Sequence, residues 1–380
     1  MSYQEIIAEN KSWIDGVWEK LNKKLSVTAI KSRNKIPYTT KNGEHDDKSN
    51  MIDWWTNGFW GGLMWLMYEA TNNEEFRISA ERNEEILERA FDDVEKLHHD
   101  VGFMWHITSG ANYRLTNNRK SRNRALIAAM TLASRYNVVG GFFRCWNDSN
   151  EENKAGWTII DSMMNLPLLY WASNEIGDMR FRNIAIKQAD MTMRDHVRED
   201  GAVNHIVVHD PNKADTVIEI KPGQGYEVGS CWSRGNAWAL YGFTLSYMYT
   251  KKDEYLQTAL KVADHFIEQT KKTGWLPRID FCQPEEPKYY DSTAGAIAVC
   301  GIIELAKILD GEKSKEYLSA AISILKTMEN NWCNWSENED SILQMGSEAY
   351  NWGRHIPIIY GDFYFTEAIL KLKGSKFMIW

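Results

Sequence analysis

Residues 161–173 read Asp161-Ser162-Met163-Met164-Asn165-Leu166-Pro167-Leu168-Leu169-Tyr170-Trp171-Ala172-Ser173, and the chain then continues Met179-Arg180-Phe181-Arg182-Asn183-Ile184-Ala185-Ile186-Lys187-Gln188-Ala189-Asp190. The first run is apolar on nearly every side. The second sets apolar residues three and four apart against Arg, Lys and Asp. A helix buried all round and a helix with one wet face answer to these two patterns. The pairing recurs. Buried-type segments are expected at 58–70, 123–136, 161–173, 234–250, 291–309 and 361–373, and amphipathic ones at 3–24, 76–98, 179–197, 253–271 and 314–332. At a period of roughly 50 residues this predicts an all-α fold of six helical hairpins closed into an (α/α)6 barrel. Five outer helices are clear, and the sixth, expected between Tyr136 and Asp161, has no matching pattern.

Short turn-and-strand segments recur between outer and inner helices, at Gly102–Trp105, Gly141–Trp146, Gly201–His205 and Gly274–Arg278. In a ring of hairpins these connections all emerge at one end and surround a common pocket. No low-complexity linker interrupts the series, so residues 1–380 read as a single domain.

Composition narrows the function. The net charge of -8 and the lack of a basic, aromatic-interleaved motif argue against a nucleic-acid partner. No apolar run reaches the length of a membrane span, and residues 1–11 lack the features of a secretory signal. Cys145, Cys231, Cys282, Cys300 and Cys333 are odd in number and contain no C-x-x-C pair, which points away from a disulfide framework or zinc site and toward a reducing cytoplasm. The 17 Trp, 17 Tyr and 13 Phe serve either a large core or sugar stacking. The oligomeric state is not legible.

Asp161 stands where an inner helix begins. As an N-cap it would accept bonds from the first free amides, although its apolar flanks make an ionised carboxylate costly. Asp100, in Leu97-His98-His99-Asp100-Val101-Gly102, is expected to end an outer helix, where its charge opposes the helix dipole. Adjacent histidines cannot converge on one ion as an i, i+4 pair can, so no metal is expected there. Two aspartates in one pocket would push their pKa values apart, leaving one protonated near neutrality as a general acid. His205 is expected on a strand, where a lone histidine is commonly structural. Arg234 and Trp238 share a helix face as a cation beside an aromatic plate, suited to a carboxylated sugar or equally to an ion pair beside a core tryptophan.

Together these segments resemble the unsaturated glucuronyl hydrolases of glycoside hydrolase family 88. The resemblance rests on His99-Asp100-Val101-Gly102-Phe103, Ile160-Asp161-Ser162-Met163-Met164-Asn165-Leu166, Trp54 with Asn57-Gly58-Phe59, Arg144-Cys145-Trp146, Asn204-His205, Gly223-Gln224-Gly225, Trp232-Ser233-Arg234-Gly235-Asn236-Ala237-Trp238, Tyr290–Gly295 and Tyr360–Tyr364, in order from about residue 50 onward. It implies an (α/α)6 barrel without a metal or other cofactor, acting on lyase-generated oligosaccharides whose nonreducing uronate carries a C4=C5 double bond, with glycosaminoglycan disaccharides foremost. Under it Asp161 is the general acid and base, Asp100 positions substrate and tunes Asp161, and His205 assists the water. Trp54, Trp146, Gln224, Arg234 and Trp238 line the substrate subsite. A Ser-x-x-Ser-x-Lys loop that some relatives use for sulfated sugars is replaced here by Ser347–His355, in which Arg354 is a candidate sulfate contact. An unsaturated rhamnogalacturonyl hydrolase, a two-carboxylate glycosidase and a noncatalytic helical scaffold are the alternatives.

Overall fold

The structure is a computed structural model describing residues 3–149 and 152–380. Outer and inner helices alternate strictly. The outer layer is α1 (Tyr3–Lys31), α3 (Glu74–Leu87), α6 (Arg119–Ser134), α8 (Met179–Asp195), α10 (Asp253–Lys272) and α12 (Gly311–Trp332). The inner layer is α2 (Phe59–Thr71), the compound segment α4 (Val101–Trp105) and α5 (Ala111–Thr116), then α7 (Leu166–Ile176), α9 (Ser233–Thr250), α11 (Ser292–Ile308) and α13 (Ile359–Lys373). Packing of α13 against α2 closes the ring, so the six-hairpin barrel is as the periodicity predicts.

The register of that alternation differs from expectation at one hairpin. The apolar pattern predicts an inner helix over 123–136, but α6 is an outer one, leaving Ile127 and Met130 about half exposed. The Ala- and Leu-rich run of its second half, residues 125–133, imitates burial. The inner member is instead Val101–Thr116, for part of which the sequence predicts strand: α4 and α5 are joined by a π-helical turn over His106–Gly110. Its polar residues hide its burial, and Thr108, Ser109 and Asn112 are tolerated because they find partners. Ser109 Oγ and Asn112 Nδ2 donate to the buried Glu84 carboxylate at 2.9 and 2.8 Å, which also receives Arg124 Nη1 at 2.7 Å. The outer helix sought between Tyr136 and Asp161 is therefore not missing.

Every inner-to-outer connection is two residues long. Asn72, Asn117, Gly177 and Lys251 stop their helices in the left-handed region, and Asn73, Asn118 and Asp178 cap the next helix through side-chain oxygens. All outer-to-inner connections are long and lie at the opposite end. They carry two short hairpins, β1 (Thr40–Lys41) with β2 (Glu44–His45) and β3 (Tyr136–Asn137) with β4 (Phe142–Phe143). They also carry an antiparallel sheet of β5 (Trp157–Ile159), β6 (Ile206–His209) and β7 (Val217–Lys221). Tight helix reversal and pocket building are thus assigned to opposite ends. Inside the ring an aromatic cluster joins Phe59, Phe103, Trp238, Tyr360, Phe363 and Tyr364, and Trp380 stacks on Tyr364 at 5.8 Å. Among the described residues no helix is long and apolar enough to cross a membrane.

Candidate active site

The long connections surround a cavity of about 840 Å³ whose lining includes Asp100, Asp161, His205, Gln224, Arg234, Trp54 and Trp146. Both aspartates sit at starts of inner segments. Asp161 lies in the first turn of a 3-10 helix, Ile160–Met164, that leads into α7, and Asp100 immediately precedes α4. The sequence pattern places Asp100 at an outer helix's C-terminus. That placement is corrected, and with it the supposed conflict with the dipole, because the amide end of α4 favours a carboxylate. Neither aspartate caps its helix through its side chain.

Asn165 ties the two together. Its Nδ2 donates to Asp100 Oδ1 at 3.2 Å and to the Asp161 carbonyl at 3.3 Å, while its Oδ1 accepts the Phe103 amide at 2.9 Å. A Cβ on Gly102 would overlap Asn165, so glycine is needed for this close approach. The two carboxyls then diverge. Burial, then the nearby Asp100 charge, raise Asp161 to about 8. Burial would raise Asp100 as well, but the imidazoles of His99 and His98, each 3.2 Å from Oδ2, outweigh it and hold that carboxyl well below the usual range. One site therefore contains a neutral acid beside a fixed anion at neutral pH. Among the described residues no group of three His, Cys, Asp or Glu side chains could hold a metal ion.

His205 immediately precedes β6 rather than lying within it. Pairing of Ile159 with Ile206, and the bond from the Ile160 amide to the His205 carbonyl at 3.1 Å, bring its ring to Asp161. His205 Nδ1 accepts the Gln224 amide at 2.9 Å, which leaves the proton on Nε2. That nitrogen lies 3.9 Å from Asp161 Oδ1, and both atoms are buried without a hydrogen-bond partner. Burial and then Arg234 lower His205 to about 3, so it is neutral in use. Gly223, at φ +57°, lets the backbone pass the ring, since a Cβ there would overlap Nδ1.

Arg234 opens α9 but is spoken for. Its Nη1 pairs with Asp291 at 2.6 Å and also meets Thr293 Oγ1 and the Ser347 carbonyl, and Nη2 donates to the Glu348 carbonyl at 2.6 Å. Its aromatic neighbours are Trp232 and Tyr360, not Trp238. Trp238 is corrected from subsite to core: it is fully buried, absent from the cavity wall and packed on Phe103, Tyr364 and Trp55. Trp54 and Trp146 do line the cavity, joined by Trp157 and the half-exposed Trp352. Sequence reasoning misses Tyr38 and Glu348, whose side chains hydrogen-bond across the cavity from 310 positions apart. It includes His98, His99 and Asn165 in its motifs without assigning them to the site.

Residues 28–246 match the model of Glycosyl Hydrolase Family 88. The chain belongs to glycoside hydrolase family 88. It is 33% identical over 333 residues to the unsaturated glucuronyl hydrolase of Bacillus sp. strain GL1, covering 86% of this chain and 88% of that protein. A solved UGL mutant with dGlcA-Glc-Rha-Glc superposes at a TM-score of 0.88 with 30% identity, covering 95% and 97% of the two chains. A mutant unsaturated glucuronyl hydrolase from Streptococcus agalactiae, complexed with dGlcA-GalNAc6S, gives 0.80 and 25% over 97% and 93%. The family 88 assignment makes this chain a glycoside hydrolase, and the helical barrel is the architecture it shares with these solved relatives.

Proposed function

We propose that the protein hydrates the C4=C5 vinyl ether of a nonreducing-end unsaturated uronate in lyase-generated oligosaccharides, glycosaminoglycan disaccharides of the chondroitin or hyaluronan type foremost. What supports this reading is membership of family 88 with likeness to unsaturated glucuronyl hydrolases, joined to a carboxyl raised to about 8 beside an ionised carboxylate in a single cavity. Asp161 enters the reaction protonated and gives its proton to C4, which leaves the positive charge at C5 shared with the ring oxygen. Water adds at C5 and returns a proton to the Asp161 carboxylate. The resulting hemiketal opens to a keto-uronate, and the second sugar departs. Asp161 thus ends as it began.

Asp100 orients the sugar ring, and its fixed charge keeps the proton on Asp161. His205, neutral with Nε2–H facing Asp161 Oδ1, orients that carboxyl and helps hold the attacking water beside it. Gln224 and Arg234 act chiefly by holding the loop at Ser347 and Glu348. Trp54, Trp146 and Trp352 offer faces to the sugars. All five cysteines are free, in keeping with work in the cytoplasm.

The test is a panel of unsaturated disaccharides followed by loss of the double bond's ultraviolet absorbance. Hydration predicts that absorbance falls as the second sugar appears. Cleavage of saturated aryl glycosides with the chromophore of the disaccharides untouched would instead establish a conventional two-carboxylate glycosidase.

A further inference from the structure

The proposed substrate is anionic, yet among the described residues the cavity offers it no uncommitted cation. Its lining contains the carboxylates Asp53, Asp100, Glu219 and Glu348, beside the protonated Asp161, against two cations, Lys221 and Arg234. Arg234 is neutralised by Asp291 at 2.6 Å, and Lys221 lies 3.3 Å from Glu219 and 3.7 Å from Glu152. The buried donors of the lining left without hydrogen-bond partners include the neutral N–H groups of Trp54 and His205, with the buried His99 ring beside them. Neutral donors can receive one carboxylate without a compensating charge. A second anion would meet only the surplus of negative charge.

The loop at Ser347–His355 places part of that surplus. Arg234 and Gln224 both donate to the Glu348 carbonyl at 2.6 Å, the Tyr350 amide donates to the Gln224 carbonyl at 2.9 Å, and the Glu348 amide donates to the Gly353 carbonyl at 2.8 Å. The pinned loop presents the Glu348 carboxylate to the cavity, held by the Tyr38 hydroxyl, and sets Trp352 at its rim. Arg354, the loop's one Arg or Lys, turns elsewhere: Nη1 donates to the Tyr350 carbonyl at 3.0 Å, the guanidinium lies 4.2 Å from the Tyr289 ring centre, and it is absent from the cavity wall. The loop therefore shows the incoming sugar an aromatic plate and a carboxylate.

We infer that Glu348 is a charge filter: the enzyme accepts fragments whose second sugar is neutral and discriminates against those in which that sugar carries sulfate. Selectivity here comes from repulsion of the wrong substrate, not from added attraction to the right one. This inference rests on the hydration reading above and deepens it.

The experiment compares kcat/KM for unsulfated and sulfated unsaturated disaccharides of the same linkage, with wild type and Glu348→Gln. Gln keeps the acceptor for Tyr38 and removes only the charge. The expected wild-type preference for the unsulfated sugar at low salt is about tenfold, the scale of one unscreened charge in a partly enclosed site. Glu348→Gln should shrink that ratio severalfold. Raising ionic strength should narrow the wild-type ratio in the same direction, a readout that needs no variant. A wild type that prefers the sulfated sugar, or a ratio unmoved by both the substitution and salt, overturns the filter while leaving hydration standing. Failure of wild type to bleach either disaccharide overturns the hydration reading itself, and the filter with it.

Discussion

Replacing Asp161 by Asn should abolish turnover and yet stabilise the protein at neutral pH. The folded carboxyl is raised from 3.8 to about 8, first by burial and then by the Asp100 charge. In the unfolded chain it ionises near its ordinary value. Between about pH 4 and pH 8 the unfolded state therefore releases a proton that the folded state keeps, and stability falls as pH rises through that window. Each pH unit costs about 1.4 kcal/mol, so the deficit at pH 7 is about 4 kcal/mol. Asn has the same shape and no proton to lose. With an unfolding entropy of about 0.8 kcal/mol/K for a chain of this length, the variant should melt about 5 °C above wild type at pH 7. The gap should close toward pH 4 and level off above pH 8. Thermal unfolding of both proteins by circular dichroism across that range measures it. A variant that melts at or below wild type at pH 7 would refute the claim that Asp161 is a proton-holding acid.

Neutralising the neighbour should move the acid rather than simply remove a contact. Because the Asp100 charge raises Asp161, Asp100→Asn should shift the alkaline limb of the kcat/KM profile to lower pH, alongside a loss of about 10²-fold or more in rate. Gly223→Ala forces a Cβ into His205 Nδ1 at a left-handed backbone position, and should cost about 1–2 kcal/mol in denaturant unfolding while lowering kcat about tenfold. The two tryptophans separate core from subsite. Trp238→Ala should cost about 3–5 kcal/mol of stability, whereas Trp352→Ala should leave stability within about 0.5 kcal/mol and raise KM for the disaccharide.

How much of this is legible in the sequence depends on whether a residue's role is written locally. Asp161 stands at the hinge between an extended segment and an inner helix, and its sequence surroundings show both. The hairpin ring is legible because burial leaves a period. That signal fails where composition and burial part company: the buried run 101–112 includes Ser109 and Asn112, which Glu84 satisfies, and Thr108, which bonds the Met104 carbonyl, whereas α6 turns part of its Ala- and Leu-rich second half to solvent. Trp238 reads as a substrate contact because it shares a helix face with Arg234, but the guanidinium instead turns toward Asp291 and the Ser347 loop. Tyr38 and Glu348 meet only because the ring closes, and no local pattern encodes a pair 310 positions apart.

The seam between α2 and α13 also bears on synthesis. The first inner helix acquires its closing neighbour only after about 300 further residues have been made. At ribosomal rates of about 5–20 residues per second, that is roughly 15 to 60 s. Throughout that interval one flank of a helix bearing Phe59, Leu63 and Met67 lacks the neighbour that will eventually cover it. A ring must therefore wait for its last spoke. Its nascent chain has a longer exposure to holding chaperones, and to aggregation, than a bundle of equal size whose adjacent helices pack in order of appearance.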